Sequence, residues 1–391
     1  MQVTIESLNW RGEGVSGSKI FRHVLLGEVV EVATGRVILA SPERIDAFCK
    51  FYERCGGCQL QHWEAEPYQE WKKNLVTSAL ARRGIEAKVN AIVDAHGIGR
   101  RRVTLHVRKK DGVVAAGFMA PRSHDLINID CCPILTPALA SATDIARKLG
   151  SRLGDCDVSL TEADNGLDAV VKVERRIADE QLPKLAGLVA ELKLLRLTIN
   201  GNLVATYATP TIAMGKGVVQ LPPRSFLQAT KLGEETLSAL VIAGIGKAKS
   251  VADLFCGIGP FALRIANQAS VHAIDMDKPA IAGLAQAVRR TTNIKPLKTE
   301  VRDLMREPVV ASELKAFDAV VFDPPRAGAE AQARQLAKST VKTVVAVTCD
   351  PASFARDAEI LLAGGYKLKS ATAVDQFKYT SHVEVVAVFV R

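Results

Sequence analysis

The chain has 391 residues, 48% hydrophobic and 24% charged, a balance that excludes wholesale disorder and fits two or three packed domains. No apolar run reaches the ~18 residues of a membrane span, and MQVTIESLNWRGEG shows no basic stretch followed by an apolar one, so a cytoplasmic protein is expected. Lys and Arg number 51 against 42 acids, and the resulting +9 favours a polyanionic partner such as nucleic acid.

Residues 1–48 alternate apolar positions with glycine turns (VTIESL, RGEGVSGSK, EVVEVATGRVILA), which predicts a small β-barrel. Its core would be too small for much stability alone. Residues 49–232 mix a helix near Tyr68–Arg83 with strand-like runs at RVTLHVRK, GVVAAGFM, AVVKVE and RLTIN, an α+β domain. This block opens with Cys49, Cys55, Gly56, Gly57 and Cys58, and carries Cys131 and Cys132 further on. In a reducing compartment the eight cysteines are metal-binding, catalytic or buried rather than disulfide-bonded. Three closely spaced cysteines plus a fourth suit tetrahedral zinc or an iron–sulfur cluster. Cys156 and Cys256 read as small buried hydrophobes. Arg100-Arg101-Arg102 and Arg108-Lys109-Lys110 crowd into the same block and are expected to meet nucleic-acid phosphates.

Residues 233–391 alternate strand and helix: SVADLF, VHAID, the helix DKPAIAGLAQAVRR, FDAVVFD, KTVVAVT and the helix PASFARDAEILLA. The strand runs are almost wholly apolar, as parallel strands covered on both faces must be. The expectation is an α/β, doubly wound sheet. Asp253-Leu-Phe255-Cys-Gly257-Ile-Gly259 stands where a strand turns into a helix, and Asp275 ends the next strand, where a carboxylate can hold two ribose hydroxyls. That pattern fits a nicotinamide cofactor or S-adenosylmethionine. Asp253 leans toward the latter, since an acid there would repel a pyrophosphate but bind an α-ammonium. Asp303 is placed to receive the adenine amino group.

Three further groups fall at the carboxyl edge of this sheet. Asp323-Pro324-Pro325-Arg326 leaves FDAVVF with its exit stiffened by prolines. Cys349 ends KTVVAVT at a helix N-terminus, where a thiol pKa can fall. Glu384 opens the last strand. If that strand runs antiparallel it shares an edge with Cys349, and general base is one reason for an acid there. A thiol, a base and a methyl donor suggest methylation of uracil at carbon 5. Thiolate attack at carbon 6 would make carbon 5 nucleophilic, with Asp323 on N3–H.

The motifs DLFCGIGPFAL, DPPRAG, TCDPASFARD and SHVEVV together resemble the RNA uracil-5-methyltransferases, and CGGCQLQHW with CCPIL resembles the branch that modifies 23S rRNA. The resemblance covers nearly the whole chain. It implies a class I methyltransferase domain at 233–391, a central iron–sulfur and RNA-binding domain at 49–232, and a TRAM-like barrel at 1–48. It implies a 4Fe-4S cluster on Cys49, Cys55, Cys58 and Cys132, the cysteine before proline. It assigns Cys349 as nucleophile, Glu384 as base and Asp323 to the substrate. Gln228 of SFLQAT would sit between cofactor and base, joining Asp253, Phe255, Gly257, Gly259, Asp275, Asp303 and Asp323 around S-adenosylmethionine. Thr230 and Asp350 stand where the family usually has Asn, and Asp350 beside the thiol would raise its pKa. Arg326 would orient the loop or base, and Phe226, Phe377 or Tyr379 would stack on a flipped-out base. The expected partner is 23S rRNA and the expected state a monomer. A tRNA substrate, a cytosine-5-methyltransferase or a non-catalytic assembly factor are the alternatives.

Overall fold

A computed structural model describes residues 1–174 and 177–391. The catalytic half is an eight-stranded mixed sheet. Its strands in chain order are β1 (Val89–Asp94), β2 (Ser250–Leu254), β3 (Ser270–Asp275), β4 (Leu297–Val301), β5 (Ala319–Phe322), β6 (Thr343–Thr348), β7 (Lys367–Asp375) and β8 (Glu384–Val390). They lie in the order β4-β3-β2-β5-β6-β8-β7-β1. Strands β2 to β6 are mutually parallel. Strand β8 runs antiparallel to both β6 and β7, as the sequence had required for Glu384 to face Cys349.

Alternation explains why these strands are apolar throughout. Val251, Val321, Val345 and Val347 point to one core, while Ala252, Leu254, Phe322 and Val344 point to the other. Both faces are covered, so neither parity can be polar. The helices start on side-chain caps. Asp277 accepts from Ala280 N–H at the head of α3 (Lys278–Arg290), and Asp350 accepts from Ser353 N–H at the head of α4 (Pro351–Ala363). Each is followed by proline within the first turn, whose missing N–H costs nothing there. Thr230 caps α2 (Lys231–Ile245) through Gly233 N–H and donates to Ala95 O, so its hydroxyl both accepts and donates.

Two expectations need correction. The boundary at residue 232 does not separate the sheets: β1 pairs with β7, and α1 (Ala65–Ala81) packs on α4, so residues 65–94 belong to the catalytic layer. The central block keeps its own seven-stranded sheet, which includes Arg102–Lys110, Val113–Met119, Cys156–Ala163 and Leu194–Ile199. Residues 1–48 form two separate three-stranded sheets over a core of Ile5, Phe21, Val24 and Val30, and the described pairings do not close into a barrel. Among the described residues no helix is long and apolar enough to cross a membrane.

Candidate active site

A cavity of about 520 Å3 opens at the carboxyl ends of β2, β3, β5 and β6. Gln228, Phe255, Gly257, Asp275, Asp303, Asp323, Arg326, Cys349 and Glu384 all line it, so most of the catalytic and cofactor residues read from the sequence converge.

One end has the chemistry of a nucleoside site. After β2 the chain turns sharply through Phe255 at φ +60° and Gly257 at φ +52°. A Cβ on Gly257 would project into open space, which leaves the backbone free for a ligand. Gly257 N–H donates to Asp275 Oδ2 at 2.8 Å and Asp277 N–H to Asp275 Oδ1 at 2.8 Å. An ionised carboxylate offers about four acceptor positions, so two remain to take a ribose diol. Asp303, held by Met305 N–H, borders the same end with Met276 and Met305.

Two residues of that motif do different work from the one expected. Gly259 is absent from the cavity wall. A Cβ there would meet Leu284 Cδ1 at 2.5 Å, so glycine is needed to let α3 pack. Asp253 is fully buried beneath the cavity, and neither of its oxygens has a hydrogen-bond partner. Burial, then the charge of Asp323, holds its pKa well above the carboxylate range. The sign follows from linkage. A carboxyl whose folded pKa is raised costs stability as pH climbs from its unfolded value near ~4. Asp253→Asn should therefore raise the ligand-free melting temperature by about 2–4 °C at pH 8 and hardly at all at pH 4. Calorimetry at the two pH values checks this.

The other end holds the thiol and the acid. Register pairs Thr348 with Val385, which brings Cys349 opposite Glu384 at the end of the two strands. Glu384 is 3% exposed. Burial, with the neighbouring Asp323, raises its pKa, and burial also raises that of Asp323. Cys349 corrects the expectation of a lowered pKa. Burial and the charges of Glu384 and Asp323 push the thiol up to about 11, outweighing Arg326, and Asp350 adds a smaller push in the same direction. The thiol is therefore protonated at rest.

Gln376 was not singled out in the sequence. It is fully buried and ties the two ends together, contacting Glu384, Gln228 and Ala229. Its position directly after the last residue of β7, within the turn leading to Glu384, was the available signal. His382 was also missed. It lines the cavity 3.4 Å from Arg326, and burial with that guanidinium lowers its pKa to about 4.

Of the aromatic candidates, Phe226 and Phe377 line the cavity, and Phe226 is 64% exposed. Tyr379 does not. It packs on Tyr68 and Phe48, and its carbonyl accepts from Gln59 and Leu60 N–H, fastening the cysteine segment to the turn between β7 and β8.

The arginine run is largely interior, against its reading as a phosphate-binding face. Arg101 is ion-paired to buried Glu234 and donates to Gln228 O at 3.0 Å. Arg102 donates to Leu227 O at 3.2 Å and lies over Phe226. These two brace the segment carrying Gln228. Arg100 has Nε and Nη2 buried without partners, between Phe377 and the cysteines. Arg108 and Lys109 stay exposed, outside the cavity wall.

Cys49, Cys55, Cys58 and Cys132 line a second cavity, of about 160 Å3. Cys131 also borders it but is exposed and engaged with Asp130. Burial raises the thiol of Cys58 to about 11 and that of Cys132 to about 12, and the other thiols add to both shifts. Such burial disfavours bare thiolates at Cys58 and Cys132. Among the described residues, no group of three or more His, Cys, Asp or Glu is disposed to hold a metal ion.

The fold, with its glycine turn and Asp275 at the carboxyl edge of the sheet, is that of the class I methyltransferases. The family model for tRNA (uracil-5-)-methyltransferases matches residues 218–391. An RNA methyltransferase of Brucella suis, itself uncharacterized, is 43% identical and spans 100% of this chain and 98% of its own length. The 23S rRNA (uracil(1939)-C(5))-methyltransferase RlmD of Halomonas elongata is 31% identical, covering 98% of this chain and 88% of that protein. The crystal structure of a Pyrococcus abyssi tRNA (uracil-54, C5)-methyltransferase with S-adenosyl-L-homocysteine superposes with a TM-score of 0.78 over 100% and 99% of the two chains, at 23% identity, and so shares the fold. The chain belongs to the RNA (uracil-5-)-methyltransferase family, enzymes that methylate carbon 5 of uracil in RNA with S-adenosylmethionine.

Proposed function

We propose that the protein methylates one uridine of 23S rRNA at carbon 5 through a covalent Cys349–uracil adduct. The observation that carries this is the facing pair of Cys349 and Glu384 at one end of a cavity whose other end offers Asp275 and the Gly257 turn. S-adenosylmethionine supplies an electrophilic methyl carbon. Gly257, Asp275 and Asp303 would hold its nucleoside part. Cys349 gives up its proton to solvent, and its sulfur bonds to carbon 6 of the uracil as the carbon 5–carbon 6 π pair moves into an enolate. Carbon 5, now enolate-like, takes the methyl group as its bond to the sulfonium sulfur breaks, leaving S-adenosylhomocysteine. Glu384 removes the carbon 5 proton, the carbon–sulfur bond breaks, and the thiolate returns. Asp323 accepts from N3–H, and Phe226 and Phe377 flank the extruded base.

The choice of 23S rRNA is supported by the nearly full-length relative from Halomonas elongata, which acts on that RNA. A tRNA substrate is the second reading, favoured by the family's description. Mass mapping of both RNAs from a strain lacking the gene decides it: one 5-methyluridine should disappear from 23S rRNA. Its loss from tRNA instead would overturn the rRNA assignment. The exposed Arg108 and Lys109, with the exposed Trp10, Leu39 and Phe48 of the N-terminal region, supply the further RNA-facing surface. A cytoplasmic location follows from such a substrate.

The four cysteines are proposed to hold a 4Fe-4S cluster, for which Cys49, Cys55, Cys58 and Cys132 would supply the thiolate ligands, a set that would also suit zinc. Methyl transfer moves no electrons, so the role is structural. Stripping the metal should loosen residues 49–58 and, through the Tyr379 carbonyl, the turn that carries Phe377 and His382. Iron and sulfide assays after anaerobic purification, with hydrogen exchange before and after chelation, check this. Stoichiometric zinc in active protein would refute iron.

A further inference from the structure

The buried amide of Gln376 has only one possible sense. Its Oε1 lies 2.8 Å from the Ala229 backbone N–H, which can only donate, so that end is the oxygen. Its Nε2 then donates twice, to Gln228 Oε1 at 2.6 Å and to Glu384 Oε1 at 3.1 Å. The first of these bonds fixes Gln228 in turn. With its oxygen engaged, Gln228 can only turn its NH2 toward the base-binding side, where Nε2 donates to Asp323 Oδ2 at 3.2 Å and keeps a second N–H. Reversing Gln228 would set two NH2 groups against each other.

We propose that Gln376 is a specificity-determining positioning residue: it locks Gln228 so that the site offers N–H beside the Asp323 carboxylate, a pattern that accepts uracil and rejects cytosine. The proposal rests on the uracil reading above and deepens it. Uracil presents an acceptor at O4 and a donor at N3. Cytosine presents a donor amine and an acceptor nitrogen, so both contacts would oppose like with like. Buried groups left unpaired in this way can separate two substrates by ~10⁴–10⁵. An apolar side chain at 376 would let the Gln228 amide rotate to suit either base.

The test compares kcat/KM for an RNA fragment carrying the target uridine with the same fragment carrying cytidine there. Wild-type enzyme should prefer uridine by at least about 10⁴-fold. Q376M removes every hydrogen bond of the amide. Q376E keeps the acceptor for Ala229 but loses both donors. Each should lower the uridine-to-cytidine ratio tenfold or more while S-adenosylmethionine binding is kept, an outcome that general loosening of the fold would not give. If either variant folds and retains the wild-type ratio, the lock is refuted and the uracil reading stands. If wild-type enzyme uses the two fragments equally, the lock is refuted without recourse to variants. If it methylates neither fragment nor bulk RNA, the functional reading falls and takes the lock with it.

Discussion

Cys349→Ala should abolish uridine methylation, by about 10⁴-fold or more, and with it any covalent protein–RNA adduct, while S-adenosylmethionine still binds. Carbon 5 of uracil is too weak a nucleophile to displace a methyl group unless carbon 6 is first attacked, and Cys349 is the thiol in the cavity wall opposite Glu384. Cys256 also borders the cavity, but it is 3% exposed and its thiol is held well above the ordinary range by burial, so it cannot substitute. Raised to about 11, the Cys349 thiol is protonated in the free enzyme at neutral pH. Its ionised fraction grows tenfold per pH unit below that value, so kcat/KM should climb from pH 6 to pH 9. Isothermal titration with S-adenosylmethionine, a denaturing gel for the adduct and a pH–rate series check the three parts. Full activity in the alanine variant would remove Cys349 from the chemistry.

How far this site could be read from sequence depends on where each residue lies. Strand-end residues were legible, because an apolar run that stops at a polar residue marks the carboxyl edge of the sheet, as at Asp275, Asp323 and Cys349. Glu384 was legible for the complementary reason, as an acid opening an otherwise apolar strand. Gln376 and His382 were not, since they lie in the turn between β7 and β8, where no periodicity distinguishes a buried amide from a solvated one. The arginines misled for a related reason. A charge run reads as a solvated face, but Glu234 and the carbonyls of Leu227 and Gln228, more than a hundred residues away, draw Arg101 and Arg102 inward. The boundary near residue 232 failed because β1 joins β7 from across the chain, and strand pairing at that separation leaves no local trace. Lys72, wholly buried against Asp375, marks the same long-range seam.

Glu384→Gln should trap the enzyme on its RNA after methyl transfer. The substitution preserves shape, and an amide oxygen at that position can still accept from Gln376 Nε2, so the network linking Gln228 and Asp323 persists. It cannot take the carbon 5 proton. The thiol attack and the methyl transfer precede that step, so both should proceed once per enzyme. Elimination then stalls, because the carbon–sulfur bond breaks only as the carbon 5 proton departs. The expected result is a stoichiometric complex stable to denaturant, with the mass of protein plus RNA plus one methyl group, and steady-state turnover reduced by about 10²–10⁴-fold. The charge change acts in the same direction. Removing the Glu384 carboxylate removes the second-largest cause raising the Cys349 thiol, so adduct formation should shift to lower pH than in the wild type. A variant that loses turnover with neither adduct nor methylated base would place Glu384 earlier in the reaction, at deprotonation of the thiol, and pH-dependent alkylation of Cys349 in that variant would show it directly.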